Sequence, residues 1–223
     1  MASCPFCRTA RRPGWLGLAG WRYDLLSHVS GRVLEIGTRS GANYPYYRAD
    51  AKVVISDVDA TNMGEAIEKF ARFPAGMEIT LADAQHLPFA DDTFDAVVAT
   101  LVFCSIPDPG KALREISRVL TPNGKLYSIE HMRSRYEPIG LIQDVFHPAW
   151  HAVTGGCHLN RHTESIIRAA EFEIVERRTS LGGIFRWLIS QPAEKQESSV
   201  AFKVLKHHPD PPFPTKTEAD PPT

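Results

Sequence analysis

The stretch "VLEIGTRSGANYPYY", residues 33–47, decides how the chain is read. An apolar run around Glu35 leads into Gly37, and Gly41 follows before the chain turns polar and aromatic. This is the pattern of a strand turning through glycines toward a helix, the arrangement that holds nucleotide-like cofactors because the bare backbone approaches the ligand closely. Arg39 stands where such a turn ordinarily carries a third glycine. A left-handed backbone at that point costs a residue with a side chain about 1–2 kcal/mol, whereas a negative φ costs nothing. Pointing inward, the guanidinium would pair with a ligand carboxylate through a charge-assisted bond. Both flanking glycines remain, so the site is expected to work in altered form rather than to be a relic.

Outward from this turn, apolar runs of strand length alternate with helical patterns, as in an α/β sheet. The predicted strands are "RVLEIG" (32–37), "KVVISD" (52–57), "MEITLAD" (77–83), "FDAVVATLV" (94–102) and "KLYSIEH" (125–131). "TNMGEAIEKFARF" (61–73) and "TESIIRAAEF" (163–172) read as helices. "DPGKALREISRVL" (108–120) is an amphipathic helix with Ala112, Ile116 and Val119 on one face, stopped by the turn "TPNG". "EPIGLIQDVFHPAWHAV" (137–153) is helical and is expected to bend near Pro148. "EIVERRTS" (173–180) and "SSVAFKVLK" (198–206) read as an antiparallel pair, giving a mostly parallel sheet with an antiparallel C-terminal strand. Residues 1–21 are expected to form an N-terminal extension, 22–206 one domain, and the Pro-rich, polar 207–223 a disordered tail.

With 223 residues, 43 % of them apolar, the chain is long enough for one domain with a real core. A formal net charge of -1 gives no electrostatic case for nucleic acid as partner. No apolar run approaches the ~20 residues that span a bilayer; "GWLGLAGW" (14–21) is too short and lacks a signal-peptide layout. A reducing, cytoplasmic setting is the expectation. Cys4 and Cys7 form "CPFC", but no second ligand pair follows at zinc-knuckle spacing, so no role is assigned to them. Cys104, in "FCS", is expected in the core.

Sheets of this kind bind ligands beyond the carboxyl ends of their strands, and acids recur there. Asp57 ends the second predicted strand and suits a ribose diol, since a carboxylate accepts two hydroxyl bonds. Asp83 ends the third and suits an exocyclic amine. Together with "DAQHLPFADDTFDAVVATLVFCSIPDPGKALREISRVLTPNGKLYSIEH" (83–131), this order resembles the class I S-adenosylmethionine-dependent methyltransferases. "HPAWHAVTGGCHLNRHTESIIRAAEFEIVE" (147–176) resembles the methyltransferase-like thiol S-methyltransferases of animals and their soluble bacterial relatives. More distantly the chain is similar to ubiquinone/menaquinone C-methyltransferases and bacterial phospholipid N-methyltransferases. The resemblance runs from about residue 22 to 206 and implies a Rossmann-like sheet. It also implies S-adenosylmethionine as cofactor, with S-adenosylhomocysteine as product, and a small-molecule acceptor. A thiol comes first, with a quinol, phenol or amine as alternative. A catalytically silent partner protein of the same fold is the rival of another class, kept open by Arg39. Residue by residue, the resemblance places the glycine motif on Glu35, Gly37, Arg39 and Gly41, the ribose acid on Asp57 and the adenine contacts on Asp83 and Ala84. Thr100 and Leu101 match positions flanking the transferred methyl. The apolar membrane anchor of the animal enzymes has no counterpart in these residues.

For the acceptor side, Asp144, His147 and His151 fall at i, i+3 and i+7, on one face of an unbroken helix. His131 ends the fifth strand beside Glu130. His131, Asp144 and His151 are the candidate catalytic groups, with His131 or His151 as proton acceptor near neutral pH. Phe146, His147, Trp150, Cys157 and His158 are the candidate substrate contacts, and residues 133–161 are expected to close over the transfer point. Pro148 disturbs the Asp/His/His spacing, so no metal site is expected there. Cys157 has no activating partner visible in sequence.

Overall fold

A computed structural model describes residues 17–71 and 77–193. In chain order the elements are α1 (Leu18–Ser27), β1 (Arg32–Ile36), β2 (Lys52–Asp57), α2 (Gly64–Phe70), β3 (Met77–Leu81), β4 (Phe94–Thr100), α3 (Pro109–Val119), β5 (Leu120–His131), α4 (Glu137–Thr154), α5 (Thr163–Ala169), β6 (Phe172–Ser180) and β7 (Phe185–Pro192). They build one seven-stranded sheet in the order β3-β2-β1-β4-β5-β7-β6. The first five strands run parallel, and β7 lies antiparallel between β5 and β6. The expected fold class is therefore the observed one.

The central strands are continuous apolar runs because both of their faces are covered. Along β1, Val33 packs into one core cluster and Leu34 and Ile36 into the other. Along β4, Ala96 and Val98 face the first cluster while Val97 and Ala99 face the second. Leu25, Leu26 and Val29, in and just after α1, cover one side. Ala112, Leu113, Ile116 and Val119 of α3, with Ile167 of α5, cover the other. Leu18 and Trp21, which the sequence reading set in an N-terminal extension, pack against the α1 side. Strand order reverses between β1 and β4, which share a ladder at the centre of the sheet, so the crevice of this fold opens beyond Ile36 and Thr100.

Two local expectations are corrected. The partner of β6 is β7, a strand not recognised in the sequence; residues 198–206, proposed for that place, lie outside the described residues, as do Cys4, Cys7 and 207–223. Strand β7 was hidden by Arg186, an unusual residue for a buried strand, which is 2 % exposed because Glu164 of α5 pairs with it. "TPNG" does not separate helix from strand: β5 already begins at Leu120, and its pairing with β4 jumps from Phe94↔Leu120 to Ala96↔Lys125 across the turn. The helix expected over 137–153 is α4, with Pro148 inside it. No helix among the described residues is long and apolar enough to cross a membrane.

Candidate active site

The turn after β1 is built on left-handed backbone. Gly37, Arg39 and Gly41 have φ of 65, 45 and 69. At Gly37 a Cβ would also stand 2.6 Å from the Val102 side chain, so glycine is required there twice over. Arg39 thus adopts the costly conformation rather than the free one. What holds it is Asp57: one carboxylate oxygen accepts the Arg39 N–H at 3.0 Å, and the other accepts the Asp59 N–H at 3.1 Å. Asp57 is 5 % exposed and ties the ends of β1 and β2 together.

Beside this turn lies a cavity of about 390 Å³, within the range of small-molecule sites. Of the residues expected to hold a cofactor, Glu35, Gly37, Arg39, Thr100 and Leu101 line it. Gly41, Asp57, Asp83 and Ala84 are not among the lining residues. Asp83 accepts bonds from the Gln85 backbone and side-chain amides, and Ala84 packs on the core. Glu35 is buried; burial pushes its carboxyl up to about 7, against the bond of 2.6 Å it accepts from the Tyr47 hydroxyl. Leu101 itself has φ of 58, so the end of β4 is strained next to the cavity. Sequence reasoning missed six lining residues: Arg22 from α1, Thr38, Ser40, Ala42 and Asn43 in the turn after β1, and Asn62. Arg22 had one available signal, a cation in the helix preceding a strand that carries a buried acid. Asn43 bonds the Thr100 hydroxyl at 3.1 Å and so bridges the two sides of the crevice.

On the acceptor side the structure gathers residues from distant segments. His131 Nε2 lies 3.0 Å from Cys157 Sγ, and Trp150 Nε1 donates to the same sulfur at 3.4 Å. Cys157 therefore has the partners that the sequence did not reveal. Cys104 is buried, as expected, yet it joins this group: one donor atom each from Cys104, His131 and Cys157 lie within 4.8 Å of one another. Burial, and then Glu130, pushes the Cys104 thiol up. Burial draws His131 below its usual range and pushes Glu130 up to about 8. His147, His151 and His158 pack against one another, with ring centroids 4.8 to 5.6 Å apart.

Asp144 requires a correction. Its carboxylate is bound by Arg133 at 3.0 Å and by Asn160 at 2.9 Å. Those bonds hold it below its ordinary range, so at neutral pH it is ionised, a weak base, and engaged by Arg133 and Asn160. Phe146, a candidate substrate contact, is 61 % exposed on the outer face of α4.

Residues 34–128 match the family described as "Methyltransferase domain". Thiol S-methyltransferase TMT1B of Rattus norvegicus and of Mus musculus are each 35 % identical to this chain. The rat match covers 65 % of this chain and 61 % of the rat protein; the mouse match covers 73 % and 69 %. The phosphatidylethanolamine N-methyltransferase of Cereibacter sphaeroides is 29 % identical over 73 % of this chain and 82 % of its own. A putative methyltransferase from Bacillus halodurans shares the fold with a TM-score of 0.59 at 20 % identity, covering 70 % of this chain and 71 % of that one. The chain belongs to the class I S-adenosylmethionine-dependent methyltransferases. It spans about three fifths of the length of the rat relative.

Proposed function

We propose that this protein transfers a methyl group from S-adenosylmethionine to a small-molecule acceptor, and that the accepting atom is a thiol sulfur. The observation that carries the reading is the cavity at the β1/β4 reversal. Its lining suits a ligand with a zwitterionic end. Arg22 Nε is buried without a hydrogen-bond partner among the described residues, and Arg22 lines the cavity, where a ligand would supply the missing bond. When bound, S-adenosylmethionine supplies an electrophilic methyl carbon on a sulfonium. In this reading Arg22 takes the carboxylate of its amino-acid end and Glu35 the ammonium. Asp57 fixes the loop on the ribose side, and Asp83 and Ala84 lie toward the adenine. Thr100 and Leu101 flank the transfer point, and α4 with the 155–162 segment shields the acceptor from water.

A thiol is favoured because its ordinary pKa near ~8.5 demands little base. The one carboxylate candidate on this side, Asp144, is engaged by Arg133. A second reading, an amine carried on a lipid, is favoured by one observation: Leu141, Val145 and Phe146 of α4 are more than half exposed beside the acceptor side.

Calorimetry of the full chain with S-adenosylmethionine and S-adenosylhomocysteine tests the cofactor assignment; micromolar or tighter binding is expected. No heat and no thermal shift at millimolar ligand would favour the silent-partner rival. Arg39→Gly relieves the left-handed strain of about 1–2 kcal/mol and is expected to hold or improve both stability and affinity. A loss beyond about tenfold, or 1.4 kcal/mol, would assign the guanidinium to the ligand carboxylate. A panel of thiols, phenols, quinols and amines then decides the acceptor.

A further inference from the structure

Three side chains from three separated segments meet next to the cavity. Cys104 follows β4, His131 closes β5, and Cys157 follows the turn that ends α4. Their donor atoms lie within 4.8 Å of one another, and each is held from outside. Glu130 Oε1 accepts the Val102 and Phe103 N–H groups at 2.9 and 3.1 Å, fixing the segment before Cys104. Arg161 donates to the Phe103 and Ile106 carbonyls on either side of it. The His158 N–H donates to the Cys104 carbonyl at 2.9 Å, stitching the Cys157 segment to the same point. Gly155 and Gly156, with φ of 69 and 110, make the turn that delivers Cys157 there.

Two sulfurs and one imidazole nitrogen suit a borderline-soft cation such as zinc and do not suit magnesium or calcium, which take oxygen ligands. Two thiolates and a neutral imidazole balance a divalent charge before an acceptor binds, and the Arg161 guanidinium, bonded to the Phe103 and Ile106 carbonyls beside Cys104, stands near to offset an anionic acceptor. Zinc–nitrogen and zinc–sulfur bonds at a tetrahedral angle place those atoms about 3.5 Å apart. The His131–Cys157 contact of 3.0 Å therefore opens slightly, a movement for Cys157, the more accessible of the three. Three protein ligands leave the fourth position open, the hallmark of a catalytic rather than a structural zinc site. Leu101, which lines the cavity, presents its carbonyl 3.7 Å from Cys104 Sγ, so the cluster adjoins the transfer point.

We propose that Cys104, His131 and Cys157 bind one zinc ion and that its fourth position takes the acceptor thiol as a thiolate. The second half rests on the methyl-transfer reading above; the first half does not. On binding, the acceptor sulfur displaces a water from the ion and its proton leaves to solvent. A sulfur electron pair then forms the bond to the methyl carbon as the carbon–sulfonium bond breaks, its electrons remaining on the departing thioether. No oxidant or reductant is involved.

The test uses the full chain carrying Cys4→Ser and Cys7→Ser, so that the terminal pair does not compete, under reducing conditions. Titration with Co²⁺ is expected to give thiolate-to-cobalt charge-transfer bands and the strong visible bands of tetrahedral cobalt, saturating at one ion per chain and displaced by Zn²⁺. Cys157→Ser is expected to lose at least about 100-fold in affinity, beyond the 10–100-fold typical of outer-shell partners, while His147→Ala keeps the bands. Absence of charge-transfer bands, equal affinity in Cys157→Ser, or a Cys104–Cys157 disulfide in the reduced protein by mass spectrometry would overturn the zinc site. Adding a small alkyl thiol is expected to shift the cobalt bands; an unmoved spectrum overturns the acceptor role and leaves the metal site. Calorimetry with S-adenosylmethionine is read separately, so a chain that binds cobalt but no cofactor would refute the proposed function and not the site.

Discussion

Helix α4 carries a larger share of apolar residues than α3, and the two use them in opposite ways. In α3, Asp108 caps the N-terminus by accepting the Lys111 N–H at 2.9 Å, Pro109 opens the first turn, and Ala112, Leu113, Ile116 and Val119 are fully buried against the sheet. In α4 the buried residues are Gly140 and Gln143, while Leu141, Val145 and Val153 are 57 %, 75 % and 87 % exposed. The inner face of α4 is polar. Gln143 Nε2 donates to the Met132 and Leu159 carbonyls at 3.1 and 3.0 Å, and its Oε1 accepts the Ser134 N–H at 2.7 Å. Asp144 holds Arg133 and Asn160 on the same side. One helix is placed by burial and belongs to the scaffold. The other is placed by directional bonds and forms a wall over the acceptor side, where position matters more than adhesion.

The largest effect expected from this contrast is at Ile116. Ile116→Ala removes a fully buried side chain from the core and should destabilise the protein by about 2–5 kcal/mol in urea unfolding. A loss below about 1 kcal/mol would mean that α3 is not the scaffold helix described. Next comes Gln143→Leu, similar in volume but unable to bond. It strands the Ser134 N–H and the Met132 carbonyl at buried positions and the Leu159 carbonyl at a half-buried one, and about 1–3 kcal/mol should be lost. Faster amide exchange is expected in 155–162 and in α4, with α3 unchanged. A neutral result would show that α4 is held by something other than its polar face.

The same contrast explains what the sequence revealed. Strands β1, β2 and β4 were legible because burial on both faces leaves continuous apolar runs, and α3 because its period matches its burial. The face carrying Asp144, His147 and His151 was also legible, but not its meaning: only the folded chain shows that Arg133 and Asn160 claim Asp144. The meeting of Cys104, His131 and Cys157 was illegible because it depends on sheet order, which sets β5 beside β4 and brings the α4 turn back over both. Strand β7 escaped because a buried ion pair, Arg186 with Glu164, breaks the apolar pattern that identifies strands.

A smaller effect follows from the ion pair at Asp144. Its folded pKa lies below the unfolded value of 3.8, held down first by Arg133 and then by Asn160. A depressed carboxyl contributes its full stabilisation above the unfolded pKa and loses it as pH falls through the folded value. The docking of α4 should therefore loosen below about pH 3.8, before α3 responds. Hydrogen exchange of the α4 amides across an acid series measures this. Asp144→Asn should already be loosened at neutral pH and show no further transition of its own; an unchanged acid transition in that variant would place the titrating group elsewhere.

The smallest effect is expected on the outer face of α4. Leu141 and Val145 stand one turn apart and project from the same side. Being 57 % and 75 % exposed, they have little buried area to lose. Replacing both by Gln removes the apolar surface and, at Val145, gains a few tenths of a kcal/mol in helix propensity. The double variant should unfold within about 0.5 kcal/mol of the parent, whereas a comparable change at Ile116 would abolish the core contact. Its value lies in what else it reads. If the acceptor is a small thiol, turnover should be untouched, because this face lies away from the inner wall. If the acceptor is an amine borne on a lipid, KM for the lipid should rise with kcat preserved, since the face would guide the apolar chain rather than act on the reacting atom. A stability loss well above 0.5 kcal/mol would contradict the contrast between the two helices, because it would show that the outer face of α4 is packed after all.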